Sequence, residues 1–152
     1  MKLRKGFTLV ELLIVIVIIG ILAAAMLLSS GSATAAAEAS NIVSDLRSMK
    51  AAALMYYADN MDDVTKLTNL NVSGLQKYMD NPNKFTNTNG YIFTDGGTTN
   101  WWVGFNLTTA KKTGAVGEKL ANRSAGVGIY KTMDASSNNV YSGASEAYMI
   151  AR

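Results

Sequence analysis

The chain has 152 residues, enough for one compact domain plus a further segment. It contains neither cysteine nor histidine, which removes disulfide staples, the usual general base near neutral pH and the commonest nitrogen ligand for zinc or copper, so no enzyme, metal or other cofactor is expected. Lys2, Arg4 and Lys5 account for the formal charge of +3; the rest of the chain carries 11 basic and 11 acidic side chains, and the basic pI is no argument for a nucleic-acid partner.

Met1 to Gly6 holds those three positive charges, and Leu12 to Leu28 follows as 17 residues with no polar side chain. As a helix the run rises about 25 Å, and the stretch from Phe7 to Leu28 about 33 Å, near the hydrocarbon thickness of a bilayer. The basic start predicts an N-in, C-out topology. A cleaved secretory signal is the plain rival, with an A-x-A-like site at Ala23 to Ala25. Glu11 argues against it, because a carboxylate inside a membrane segment costs about 2.5 to 3.5 kcal/mol on insertion scales and marks function. Glu11 also falls four residues after Phe7, so a helix beginning at Phe7 places the carboxylate on the face of the Phe7 backbone nitrogen. Cleavage between Gly6 and Phe7 turns that nitrogen into a charged amine beside an otherwise unpaired acid. A carboxylate in the first helical turn is favourable in its own right.

Over these residues, Lys5-Gly6-Phe7-Thr8-Leu9-Val10-Glu11 with Leu12-Leu13-Ile14-Val15 and Ile18-Ile19-Gly20-Ile21-Leu22-Ala23-Ala24, the sequence resembles the type IV pilin and pseudopilin family. The resemblance spans about thirty residues. It implies cleavage after Gly6 by an aspartic prepilin peptidase and methylation of the new Phe7 amine. It further implies that Glu11 of one subunit meets the Phe7 amine of a neighbour during assembly. One position departs from the pattern: many major pilins have proline where this chain has Leu28, and family helices commonly unwind in filaments between that proline and the position of Gly20. Proline in a helix interior costs about 3 kcal/mol and glycine about 1 kcal/mol relative to alanine. An uninterrupted helix from about Phe7 past Leu28 is therefore predicted for the unassembled chain.

Ser29 to Ala37 is small and weakly polar, readable as a flexible linker or as a continuing helix, which the alanines favour and Gly31 weakens. From Glu38 a helical period appears in Ile42, Leu46, Met49, Ala53 and Tyr56 or Tyr57, the face expected to pack on the rest of the domain. Asp45, Arg47 and Lys50 are expected to be solvated or to face neighbouring subunits. The pattern fails near Asn60. Asp59, Asn60, Asp62 and Asp63 invite a calcium reading, but their spacing fits no loop motif, and a solvated helix end is preferred. A connector helix is predicted from Ser73 as N-cap through Met79, ending before Pro82.

Beyond Pro82, Gly90 to Thr94, Trp101 to Phe105, Val127 to Thr132 and Ala147 to Ala151 are candidate strands, with turns at Asp95-Gly96-Gly97 and Ser136-Ser137-Asn138-Asn139. Val116 to Leu120 reads as a short helix or a loop. An antiparallel sheet of three to five strands is expected, burying one face on the apolar stripe of the long helix. The fold class is α+β, in agreement with the α/β roll that the family resemblance implies. The domains are a 1–6 leader, a 7–30 transmembrane and filament-core helix, and a 31–152 head that includes the second half of the helix.

Lys111, Lys112, Lys119, Arg123 and Lys131 form a candidate basic patch, with Trp101, Trp102, Tyr130 or Tyr141 as stacking surfaces for single-stranded DNA. Glu118 and Asp134 interrupt it, and a mixed polar surface with the tryptophans in the core is preferred, so no nucleic-acid partner is expected. No nucleophile elbow, phosphate loop or metal-hydrolase spacing is present. The resulting expectation is a structural subunit of a type IV pilus-like surface filament. Its partners would be copies of itself, the prepilin peptidase, inner-membrane assembly machinery and, before assembly, the bacterial inner membrane. The alternatives are a type II secretion pseudopilin in the periplasm and a minor or competence pilin with an adhesive or DNA-binding role.

Overall fold

In the computed structural model, residues 6–95, 100–135 and 137–152 are described. The alanine-rich and aliphatic N-terminal sequence, lacking any interior proline, forms one helix, α1 (Leu9–Asp59, 51 residues). It passes through Gly20, Gly31 and Leu28 without a break, and Ser29 to Ala37 is helix rather than linker. By its contacts the chain divides into a unit ending at Thr34 and a second unit, Ala35–Arg152.

In the second unit, α1 buries Ala35, Ala39, Ile42, Val43, Leu46, Met49, Ala52 and Ala53, the three-and-four spacing of one helix face. The helix ends where the sequence pattern fails. Two short helices follow, α2 (Val64–Thr68) and α3 (Val72–Leu75). The connector is capped two residues earlier than expected: Asn71, not Ser73, is the N-cap, its Oδ1 accepting the Gly74 N–H at 3.0 Å. Helix α2 itself has no clear sequence signal beyond its cap, Asp63.

Strands β1 (Tyr91–Asp95), β2 (Trp101–Asn106) and β3 (Glu146–Ile150) form an antiparallel sheet in the order β1-β2-β3. Register sets Phe93 opposite Val103 and Val103 opposite Met149. The period of two then sends Tyr91, Phe93, Trp101, Val103, Phe105, Ala147 and Met149 into a single core cluster with the buried stripe of α1. The Gly96-Gly97 turn and Ser136 lie outside the described residues.

The expected strand Val127 to Thr132 is corrected. Helix α4 (Ala115–Val127) occupies its start, burying Val116, Leu120 and Ser124 at a spacing of four. Gly128 ends α4 in the left-handed region at φ 75°, with its N–H on the Ser124 carbonyl, a conformation that favours glycine. Only Tyr130 then behaves as a strand, exchanging backbone hydrogen bonds of 2.8 Å with Tyr148 of β3. The β-branched and aromatic run Val127-Gly128-Ile129-Tyr130 is thus split by one glycine into a helix end and a sheet edge.

Candidate functional site

The N-terminal candidates come first in the chain. Gly6, Phe7 and Thr8 are exposed and precede the helix, with Phe7 91% exposed. Glu11 is in the first turn of α1. Its Oε2 accepts the Thr8 N–H at 2.8 Å and the Thr8 hydroxyl at 2.7 Å, and the Thr8 Oγ1 accepts the Glu11 N–H at 3.2 Å. This reciprocal pair is a capping box, and its sequence signal, Thr8-x-x-Glu11 before an apolar run, is legible without a structure. The expectation of an otherwise unpaired acid is corrected accordingly: the helix starts at Leu9, not Phe7, and Thr8 already serves the carboxylate.

From Leu9 to Leu27 every residue is exposed, including Ile14, Val15, Ile16, Val17, Ile18 and Ile19. The most apolar 18-residue window of α1 has a mean hydropathy of 3.1, and none of it is buried. Glu11 is the one charged residue between Phe7 and Ala37. A surface of this kind is stable only when something apolar covers all of it, whether lipid or other helices. The backbone needs no such help, because a helix satisfies its own hydrogen bonds in a bilayer.

The second unit carries the other expected chemistry. Asp45 is not solvated: it is 8% exposed, and its carboxylate takes the Tyr91 hydroxyl and the Lys84 ammonium, each at 2.5 Å. Lys84, in the segment before β1, and Tyr91, the first residue of β1, meet this position of α1, neighbours that helix periodicity cannot reveal. Burial, and then the bond to Asp45, push the Tyr91 phenol far above its usual range. Arg47 is exposed as expected, and Lys50 is half-buried.

The acidic turn is used locally. Asp59 accepts the Tyr78 hydroxyl at 2.8 Å, which raises the Tyr78 pKa. Asp63 caps α2 and pairs with Lys66 at 3.3 Å; the Lys66 backbone N–H first, then its side chain, hold the Asp63 carboxyl below its usual value. No group of three or more ligating side chains stands ready for a metal among the described residues.

The basic patch is dispersed in the same way. Lys112 pairs with Glu38 at 2.9 Å, and Arg123 donates to the Ser40 hydroxyl. Trp101, Trp102 and Tyr141 are buried, and Tyr130 stands edge-on to Trp102 at 6.0 Å between centroids. The rings considered for base stacking are core or half-covered.

Residues 1–27 match a family model described as the prokaryotic N-terminal methylation motif. No curated protein and no solved structure matches the chain.

Proposed function

We infer that this chain, a type IV pilin-like or pseudopilin-like protein by the motif of its first 27 residues, is the structural subunit of a type IV pilus-like surface filament. The motif marks a structural class rather than an enzyme class. The observation that carries the reading is the first part of α1, apolar on every side, exposed on every side and interrupted by the single acid Glu11. Such a segment sits in the inner membrane as an N-in, C-out precursor and then exchanges lipid for the same segment of other copies.

In this reading prepilin peptidase cuts between Gly6 and Phe7, which are exposed ahead of the helix. Phe7 then carries the N-methylated amine. Removal of Lys2, Arg4 and Lys5 leaves the mature chain neutral and its helix end open to apolar packing. Glu11, preorganised by Thr8, presents a carboxylate to the Phe7 amine of a neighbour, a pairing that low dielectric makes expensive to leave unmade. Leaders of this class also serve type II secretion pseudopilins, which assemble by the same chemistry but remain periplasmic.

Intact-mass analysis of the membrane or filament protein tests the processing step. The expected mature terminus is Phe7 with one added methyl group; a terminus after Ala25 or Ala35 shows secretory processing and ends the filament reading. Imaging of sheared surface filaments, with mass spectrometry of their subunit, separates pilus from pseudopilus.

A further inference from the structure

In the second unit, the edge of the α1 core face beside α4 is bordered by a cavity of about 230 Å³. Ser40, Val43, Ser44 and Arg47 of α1 line it, with Arg123 and Val127 of α4. No carboxylate is among them. Arg47 is exposed and makes no hydrogen bond or ion pair among the described residues, while Arg123 is bound only to the Ser40 hydroxyl. That bond holds one guanidinium at the wall of the cavity. Two guanidiniums over a floor of two valines suit a carboxylate carried by an apolar neighbour.

The chain itself offers such a group. In the turn after α1, Asp59 is taken by Tyr78, and Asp63 by α2 and Lys66. Asp62 alone is exposed with no hydrogen bond or ion pair among the described residues. It is flanked by Met61, 59% exposed, and Val64, 70% exposed. Within one copy the two surfaces cannot meet, since Arg47 and Asp59 are separated along the same helix by about 18 Å of rise.

We propose that Asp62 of one copy docks between Arg47 and Arg123 of another, with Met61 seated on Val43 and Val127. The proposal rests on the filament reading for its setting. The two surfaces are different patches of one molecule, so the contact is head-to-tail, the kind of interface that generates open helical assemblies. Exposed ion pairs contribute little singly, but a contact repeated at every subunit fixes the offset between heads.

The absence of native cysteine makes the test direct. The full-length chain carrying Asp62→Cys and Arg123→Cys is oxidised mildly in cell membranes and in sheared filaments. Disulfide-linked dimers and higher ladders are expected at least tenfold above a control pairing Arg123→Cys with Thr108→Cys, an exposed position elsewhere on the head. In parallel, Arg123→Glu should reduce filament yield at least fivefold, and adding Asp62→Arg should restore it. Filaments without cross-linking above the control overturn the docking and leave the filament reading standing. A ladder in membranes without surface filaments supports the docking and removes the filament reading. Wild-type filament yield in Arg123→Glu, or a pair that inorganic phosphate occupies while no ladder forms, also overturns the docking.

Discussion

Leu9 to Leu27 and Ala35 to Ala53 are stretches of equal length in one helix; the first carries one polar side chain, Glu11, and the second eight, set between its apolar residues. In the first, every residue is exposed; in the second, eight apolar side chains are buried at three-and-four spacing. The difference lies in their periodicity. A stripe means that the covering partner is on one side and within the chain, here the sheet and α4. The lack of a stripe means that the covering surroundings are apolar on all sides and are supplied from outside the chain. One helix thereby serves two solvents.

The largest expected effect breaks the comparison at its centre. Leu46 is fully buried, and Leu46→Ala should lower the unfolding free energy of the Ala35–Arg152 unit by about 3 kcal/mol, as such core truncations do. Ile16→Ala removes a similar volume from an exposed site and should leave that unfolding unchanged. Urea titration of both full-length variants in detergent, followed by tryptophan fluorescence, measures the contrast. Equal losses would mean that the two stretches share one environment.

Two acids sharpen the same contrast, Asp45 in the covered half and Glu11 in the uncovered one. Asp45→Ala strands the buried Tyr91 hydroxyl and should destabilise the second unit by about 2 kcal/mol, from the cost of an unpaired buried polar group. Insertion and leader cleavage should persist. Glu11→Gln keeps the shape of the side chain and should leave head stability unchanged, while filament number falls about tenfold, as expected from losing a charge partner worth about 1.4 kcal/mol. Counting filaments by electron microscopy, beside a thermal melt of each variant, separates the two roles. A Glu11→Gln strain with normal filament numbers would show that the carboxylate serves only the capping box with Thr8.

What the sequence made legible follows from the range of each signal. The apolar run, the stripe from Ile42 to Ala53 and three of the four expected strands, to within one residue at each end, are local patterns repeated over several residues, and they reappear in the fold. The N-terminal motif is legible because Lys5 to Glu11 is short and ordered in sequence, within the 27 residues that match the prokaryotic N-terminal methylation motif. The surroundings of Asp45 are not legible because its neighbours, Lys84 and the first residue of β1, Tyr91, lie some forty residues away in the chain. The Val127 to Thr132 segment departs from the expected strand because β-propensity counts side chains, while Gly128 acts through φ. Asn71 and Ser73 are equally good caps on paper, and the choice between them is made by which residue precedes buried Val72.

The smallest expected effect uses tyrosine, which occurs only from position 56 onward, so tyrosine ionisation acts on the second unit alone. Tyr148 is pushed up to about 12 by burial, and then by its 2.7 Å bond to Glu146; Tyr91 is raised further. An unfolded tyrosine ionises near pH 10, as about 10 is its unperturbed pKa. The native state therefore keeps both phenols neutral where the unfolded state has lost their protons. Their contribution to stability is complete below about pH 10 and declines as pH rises toward 12, because unfolding then releases protons. Circular-dichroism melts of the full chain between pH 8 and 11.5 should give a midpoint that is flat to about 9.5 and falls above it. The Tyr91→Phe, Tyr148→Phe double variant should fall less steeply, since neither ring can ionise. An identical decline in the double variant would assign the alkaline loss to groups other than Tyr91 and Tyr148. A melt that also removes the helix signal of Leu9 to Leu27 would show that this stretch depends on the head for its fold.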